Sequence, residues 1–587
     1  MKQKKLFSLL MAAMCSGAMM ADPIVPAWQV IDNPVIGGED QFLPQTQSGS
    51  AIYGDYDNDG DLDMFFCTGD VVALFKNNGN MTYTMQGVGD DVLPLTGCAA
   101  VWVDYDKDGD LDVIMSGSMD GSVTGAATYV FQNSGAPDYA FTEDMFNFIE
   151  GVWPEDKENT LHTIALLDYD HDGWMDVIVN GQCSGLWDGE HGRMTAVYHN
   201  NKGVFEVGVG AEVFHQMNGS SVFVGDANND GFMDVLVSGY YDHALGENVG
   251  SGVSELYIND AQGSFTKANG IPFVGHQQGS TLFADLNNDG NLDIIEVGRD
   301  LANGWMGYAN IMLGDGKAHF NQVAMPDITG GAATTVAVGD LNNDGFIDFA
   351  HSGWAAQAIC YGKGDGSFKE VSMATDLDRV RARGGFMNFV DLDGDNTLDF
   401  YHFGYRDGGD SEVLHDAWPD FMVLNRLGNG IPANRAPSAP ANLTMTETAD
   451  GYLLTWEAAE DDITPAAAMR YNICMSSADG IFFLAQADIK TGKLRVGGAA
   501  IPALHRGTSY LFKLPKGQYG FGVQAVDQSN ATSPFALVGT MQALDNVPAG
   551  SGVHTVFDAM GRQVNECNAN GIYIIHYKDG TCRKVIR

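Results

Sequence analysis

One nine-residue acidic pattern, Asp-x-Asp/Asn-x-Asp-Gly-x-x-Asp, recurs seven times. The copies read DYDNDGDLD from Asp55, DYDKDGDLD from Asp104, DYDHDGWMD from Asp168, DANNDGFMD from Asp226, DLNNDGNLD from Asp285, DLNNDGFID from Asp340 and DLDGDNTLD from Asp391. Successive copies start 49 to 64 residues apart. A period of that size calls for a solenoid, a propeller or an array, and it overrides the division into domains of ~150 residues that length alone suggests. The surroundings repeat as well. An apolar run precedes each acidic copy (AAVWV, TVAVG). A second follows it and often closes on glycine (DVIMSG, DVIVNG, DVLVSG, DIIEVG). A third comes after a variable stretch (TAVYHNN, SELYIND, ANIMLGDG), and a fourth opens on phenylalanine (GVFEV, GSFTK, AHFNQ, GSFKE). Four short strands per repeat make one propeller blade. Glycine, 73 of 587 residues, stands well above the usual ~7% and fits an all-β chain with many tight turns.

The seventh repeat reaches its third run, DFMVLNRLGNG (420–430), and has no fourth. A strand-like stretch without a repeat of its own, AWQVIDNPV (27–35), precedes the first copy. The expectation is that this N-terminal strand completes the seventh blade and closes the ring, which leaves no exposed sheet edge there.

Oxygen side chains at alternate positions of a tight loop point to one side, and glycine at position six permits the positive φ that curls the chain around a centre. Asn396 replaces it in the seventh copy and tolerates the same conformation. Hard oxygen ligands at this spacing suit Ca²⁺ better than Mg²⁺, which keeps more water and demands stricter geometry. Asp-Gly hairpin turns would explain a single copy. Seven copies, each acidic at positions one, five and nine, argue for up to seven structural calcium ions. The expected ligands are Asp55, Asp57, Asp59 and Asp63; Asp104, Asp106, Asp108 and Asp112; Asp168, Asp170, Asp172 and Asp176; Asp226, Asn228, Asp230 and Asp234; Asp285, Asn287, Asp289 and Asp293; Asp340, Asn342, Asp344 and Asp348; and Asp391, Asp393, Asp395 and Asp399. With Kd ~0.1 mM and ~1 mM ion, each site contributes ~1.4 kcal/mol and seven contribute ~10 kcal/mol. The net charge of -45 argues against nucleic acid and anionic membrane surfaces as partners.

Over about residues 24–435 these repeats resemble the FG-GAP/VCBS family, whose known members include the seven-bladed head of integrin α chains. The resemblance implies calcium loops between the first and second strands on the lower face. It also implies a glycan or an extracellular protein as ligand. The loops between second and third strands then gather above, and they carry Trp187, Tyr240, Tyr241, Trp305, Trp354, Tyr405 and Trp418 beside polar groups. Flat rings on a rigid scaffold suit sugars, so these seven are the candidate ligand-binding residues. The same loops hold Asp188, Glu190, His191, Asp242, His243, Asp410, Glu412 and His415, which leaves a polysaccharide-active enzyme, a lyase or hydrolase, as the alternative. Nucleophile-elbow, zinc-helix and phosphate-loop motifs are lacking, and binding is favoured over catalysis with no catalytic residue assigned.

Residues 1–21 have the charged start, short apolar core and small-residue end of a signal peptide, and no later stretch is long enough for a transmembrane segment. The propeller is expected over 22–435. Residues 436–545 resemble a fibronectin type III β-sandwich of the immunoglobulin-like class, with Trp456 in an early strand and Tyr519 as corner tyrosine; its 488–507 stretch departs from the usual spacing. Residues 546–587 resemble the sorting domain of the type IX secretion system in Asp558, Gly561, Arg562, Gly571, Tyr573 and Lys584. That resemblance implies the secretion machinery as a partner and a cell-surface (outer-membrane) or extracellular location. Seven cysteines outside the signal make no disulfide framework. Cys67 and Cys360 read as core residues, and Cys567 and Cys582 flank one hairpin.

Overall fold

The computed structural model describes residues 23–540 apart from 33–48, 154–162, 184–191, 242–250, 301–305, 324–334, 354–356, 373–382, 406–419 and several shorter breaks, and beyond them the backbone of four strands between 553 and 586. Among the described residues seven antiparallel sheets each carry one acidic loop. The first comprises Ser50–Gly54, Asp63–Cys67, Val72–Asn77 and Tyr83–Gln86, with the acidic loop between its first two strands. The other six repeat that order. Fourth strands begin at Phe205, Phe265, Phe320 and Phe368, each at the phenylalanine that marks the repeat.

The first strands touch one another in chain order, from Ser50–Gly54 through Thr96–Val103, Ile164–Leu167, Asn218–Gly225, Ser280–Ala284 and Thr335–Gly339 to Arg383–Val390, which returns to the first. Seven sheets around one ring of inner strands make a β-propeller. The strand Trp28–Asp32 pairs with Asp420–Asn425 and supplies the fourth strand of the seventh sheet, with Trp28 opposite Asn425. Trp28 packs edge-on against Phe400 at 5.4 Å. Second strands are covered on both sides by neighbouring sheets. Asp112–Ser118 is buried throughout, which is why these runs are continuously apolar rather than alternating. Cys67, on a second strand, and Cys360, on a third, are buried as core residues. Cys567 and the side chain of Cys582 lie outside the described residues.

A second unit follows. It has a three-stranded sheet (Ala441–Glu447, Tyr452–Glu457, Ser509–Phe512) and a larger one built on Gly480–Phe483, Arg470–Ser477, Gly520–Val526 and Ala536–Gly539. Their shared core holds Leu454, Trp456, Tyr471, Ile473, Phe512 and Phe521. Trp456 is buried against Tyr471 at 5.2 Å. The hydroxyl bonded to the turn backbone is that of Tyr452, which donates to Gly517 O and accepts from Gly517 N; Tyr519 is half-buried beside it.

This unit does not stand apart on a spacer. It lies on the acidic-loop face of the propeller, and its stretch 488–507 enters the ring. Val496–Gly497 adds a short strand to the first sheet, opposite Gly54 and Tyr53. Ala499 N donates to Asn388 Oδ1 at 2.7 Å. Ile501, Pro502, Ala503 and Leu504 then form one wall of a cavity of about 260 Å³ inside the ring. The unusual length of 488–507 is the length needed to reach the channel.

Candidate metal loops on the covered face

All seven loops share one hydrogen-bond scheme. The ninth residue, always Asp, is fully buried and accepts two backbone N–H groups, one from the second loop position and one from the end of the third strand. For Asp234 the donors are Ala227 and Asn259, both at 2.8 Å. The first Asp accepts from position six in every loop and, in all but the second and fifth, from position five as well: Asp168 takes Asp172 N and Gly173 N, each at 3.1 Å. Position six has positive φ throughout, +94° at Gly60 and +65° at Asn396. Position four does as well, including Asn58 (+61°), Lys107 (+61°) and His171 (+62°). Backbone donors and two left-handed residues therefore aim the carboxylates inward before any ion is considered.

Burial and crowding push these acids up. Desolvation, opposed by backbone donors and reinforced by neighbouring carboxylates, raises Asp63 to about 8 and Asp399 to about 8. Desolvation followed by the neighbouring acids raises Asp108 to about 9 and lifts Asp104 and Asp168 well above the usual range. A cation among them reverses the preference. Oxygens of Asp55, Asp57 and Asp63 gather within 4.8 Å of one another, as do those of Asp104, Asp106 and Asp108, of Asp168, Asp170 and Asp172, and of Asp391, Asp393 and Asp399. Asp57 Oδ1, Asp104 Oδ1 and Asp285 Oδ1 are buried without a hydrogen-bond partner, as expected of ligand oxygens. These residues fit a divalent ion.

The fourth to sixth loops differ. Among the described residues they form no three-carboxylate cluster. Asn228, Asn287 and Asn342 stand at position three and donate through Nδ2 to Asp230, Asp289 and Asp344 at 2.9, 3.1 and 3.0 Å. Where position three is Asp, a side chain from outside the loop meets it. Lys76 pairs with Asp57 and sits 2.9 Å from Asp59; Gln132 donates to Asp106 at 2.6 Å; His199 lies 3.7 Å from Asp170; Arg426 pairs with Asp393 at 2.5 Å.

Five asparagines at the end of third strands went unread in the sequence. Asn133 Nδ2 donates to Tyr56 O at 3.0 Å, Asn200 to Tyr105 O at 2.8 Å, Asn259 to Tyr169 O at 2.8 Å and Asn425 to Leu341 O at 2.6 Å, each bond crossing to the preceding sheet's loop. Asn77 caps Leu62 O within its own sheet. Their signal was the Asn that closes the third run, as in YHNN and YIND. Gly314 and Gly362 occupy the place in the fifth and sixth sheets.

The second unit seals this face. Arg495 donates to Gly109 O (2.8 Å) and Asp55 O (3.1 Å), Arg506 pairs with Asp285 at 3.1 Å, and Lys493 and Lys513 reach Gly60 O and Ala261 O. His171 stacks between Phe232 (4.0 Å) and Tyr510 (4.4 Å) and donates through Nδ1 to Leu511 O. Ser529 bonds Asp340 O and Asn343.

The expected ligand face is at the opposite end. Second and third strands run antiparallel away from the acidic loops and are joined there, between Cys183 and Arg193, Tyr241 and Ser251, Asp300 and Met306, Ser352 and Gln357, and Tyr405 and Asp420. Trp187, Trp305, Trp354 and Trp418 lie outside the described residues, as do the side chains of Tyr240, Tyr241 and Tyr405 and the eight titratable candidates, Asp188, Glu190, His191, Asp242, His243, Asp410, Glu412 and His415.

The repeated sheets and their shared loop geometry find one counterpart among known families. Residues 55–115 and 168–237 match the FG-GAP-like repeat. Those two segments are FG-GAP-like repeats, and the seven sheets fit a β-propeller. No curated protein matches the chain in sequence. Among solved structures it is similar to a lectin of Agrocybe aegerita that recognises non-reducing terminal N-acetylglucosamine (18% identity, TM-score 0.40, 56% of this chain and 81% of that one). It is also similar to a rhamnogalacturonan lyase of Bacillus licheniformis (13% identity, TM-score 0.35, 75% and 72%) and to the V. cholerae biofilm matrix protein Bap1 (12% identity, TM-score 0.23, 97% and 81%).

Proposed function

We propose that this is an exported recognition protein. Its FG-GAP repeats hold structural Ca²⁺ on one face of the propeller, and the opposite face binds a glycan or an extracellular protein. The observation that carries this reading is the covering of the acidic face. The second unit occupies that face and fills the ring from the same side. The loops that vary between repeats emerge at the other end, where the sequence concentrates tryptophan and tyrosine. Variable loops on a rigid scaffold are the usual seat of recognition. The acidic loops serve the fold: their carboxylates are raised by burial, and a hard cation relieves the repulsion. The signal-like start, the fibronectin-like second unit and the sorting-domain resemblance of the tail support delivery to the cell surface or medium by type IX secretion. There calcium is plentiful.

The test is a binding screen of the full chain, in calcium, against arrayed polysaccharides and matrix proteins. A glycan hit weakened by Trp187→Ala or Trp305→Ala supports a sugar-binding face, and a protein-only hit supports adhesion. Silence from folded protein removes the proposal.

A further inference from the structure

The third acidic loop differs from the other six in the chemistry of the side chain that meets it. The third-strand residue just before the Asn or Gly that caps the loop is Lys76, Gln132, His199, Ile258, Leu313, Tyr361 and Leu424 around the ring. Only at His199 is it a nitrogen ligand of the kind transition ions take. The imidazole stands at the rim of the cage. Nδ1 lies 3.2 Å from Asp176 Oδ1 and 3.7 Å from Asp170 Oδ2, and Nε2 lies 4.0 Å from Asp172 Oδ2. A ring nitrogen of His199 and oxygens of Asp170 and Asp176 fall within 4.8 Å of one another; Asp170 belongs equally to the cluster with Asp168 and Asp172. An ion held by Asp170 and Asp176 is therefore within reach of the imidazole, and Asp170 links that position to Asp168 and Asp172. Tyr169 meets the ring edge-on at 5.9 Å and limits its swing.

We propose that the third loop takes a divalent transition ion, Mn²⁺ or Zn²⁺, with His199 as nitrogen ligand beside Asp170 and Asp176. The all-oxygen loops keep the harder Ca²⁺. Oxygen-rich cages accept both kinds of ion, and one imidazole shifts the balance toward the softer one. This rests on the reading of the loops as divalent-ion sites.

The full chain, stripped with a chelator and re-equilibrated in ~1 mM Ca²⁺, is titrated with Mn²⁺ and examined by pulsed electron paramagnetic resonance. The expected result is one Mn²⁺ per chain retained against calcium, with modulation from an imidazole nitrogen, and its displacement by Zn²⁺ at lower concentration. His199→Gln copies the second loop, where Gln132 occupies the same register, so the variant has a precedent within the fold. It is expected to lose the nitrogen signal and the calcium-resistant Mn²⁺ while keeping its calcium content. Mn²⁺ fully displaced by calcium, or retained without nitrogen modulation, overturns the assignment. Calcium content measured on the same sample separates the two readings: calcium present without a nitrogen-coupled ion defeats this inference alone, and neither ion bound defeats both.

Discussion

The first three acidic loops and the fourth to sixth solve one electrostatic problem in two ways. In the first three, position three is Asp, and a third-strand side chain reaches over to it: Lys76, Gln132 or His199. In the fourth to sixth, position three is Asn and its amide donates to the acid two places on, while the third-strand register is Ile258, Leu313 or Tyr361. The charge-rich loops depend on a donor from outside, charged at Lys76 and neutral at Gln132, and the amide loops carry part of their compensation within. The seams differ too. Asparagines at the third-strand ends tie the first sheet to the second, second to third, third to fourth and sixth to seventh. Where Gly314 and Gly362 take that place, loop asparagines make the joint instead: Asn229 Nδ2 donates to Asn291 Oδ1 and Asn288 Nδ2 to Gly345 O, both at 2.7 Å.

The largest effect expected from this contrast is on chelation. Removing divalent ions should lower the melting temperature by well over ~10 °C, since up to ~10 kcal/mol is at stake. Asp104→Asn should shrink that response more than Asp340→Asn, because Asp104 faces two neighbouring acids, Asp106 and Asp108, in a cluster the sixth loop lacks. Equal responses in calorimetry would break the contrast.

Acid should also act outside the carboxylate clusters. Burial lowers His276, just before the fifth sheet, and His351, within the sixth, to about 4. Their folded values lie below the unfolded ~6.5, so the unfolded chain takes up the protons first. Stability is full above pH ~6.5, falls by up to ~3 kcal/mol per ring on the way to pH 4, and levels below. At fixed calcium, His351→Leu should flatten one ring's share of the melting-temperature profile between those limits. An unaltered profile would remove His351 from the account.

Asn200→Ala should cost ~2 kcal/mol, since it strands Tyr105 O and loosens the seam between second and third sheets. Native-state hydrogen exchange should show that seam opening more readily in the variant than in the wild type. Lys76→Ala is the smallest perturbation. The lysine is partly exposed and its loss should cost a few tenths of a kcal/mol, while calcium affinity in the first loop rises as the competing ammonium goes. Unchanged affinity would show that Lys76 swings clear when the ion binds.

Much of this architecture could be read from the repeat. The acidic period, the apolar runs and the recurring phenylalanines specify four strands per unit, and the missing fourth run of the last unit points to Trp28–Asp32 as its partner. The glycine or asparagine at position six was legible because few residues accept its backbone conformation. The same conformation at position four was missed, although Asn58, Asn229, Asn288 and Asn343 mark it, because Lys107 and His171 hide the pattern. The plug was seen only as irregular spacing. Its apolar VGGAAIPAL has no partner within a sandwich and acquires one only against the ring interior. Contacts of that kind join residues 440 positions apart, as Arg495 does to Asp55, and no local pattern announces them.

Ring closure through Trp28–Asp32 gives the molecule a direction of mechanical weakness. The incoming chain at Trp28 and the outgoing chain at Asn425 meet at the same rung of an antiparallel ladder. Tension between the two ends would peel that ladder open rung by rung instead of shearing all five pairs at once. The outgoing chain does not run free, however. It passes directly into a unit clamped to the acidic face by Arg495, Arg506 and the inserted strand. For a molecule tethered at one end and pulled at the other, the clasp opens only after that clamp has let go.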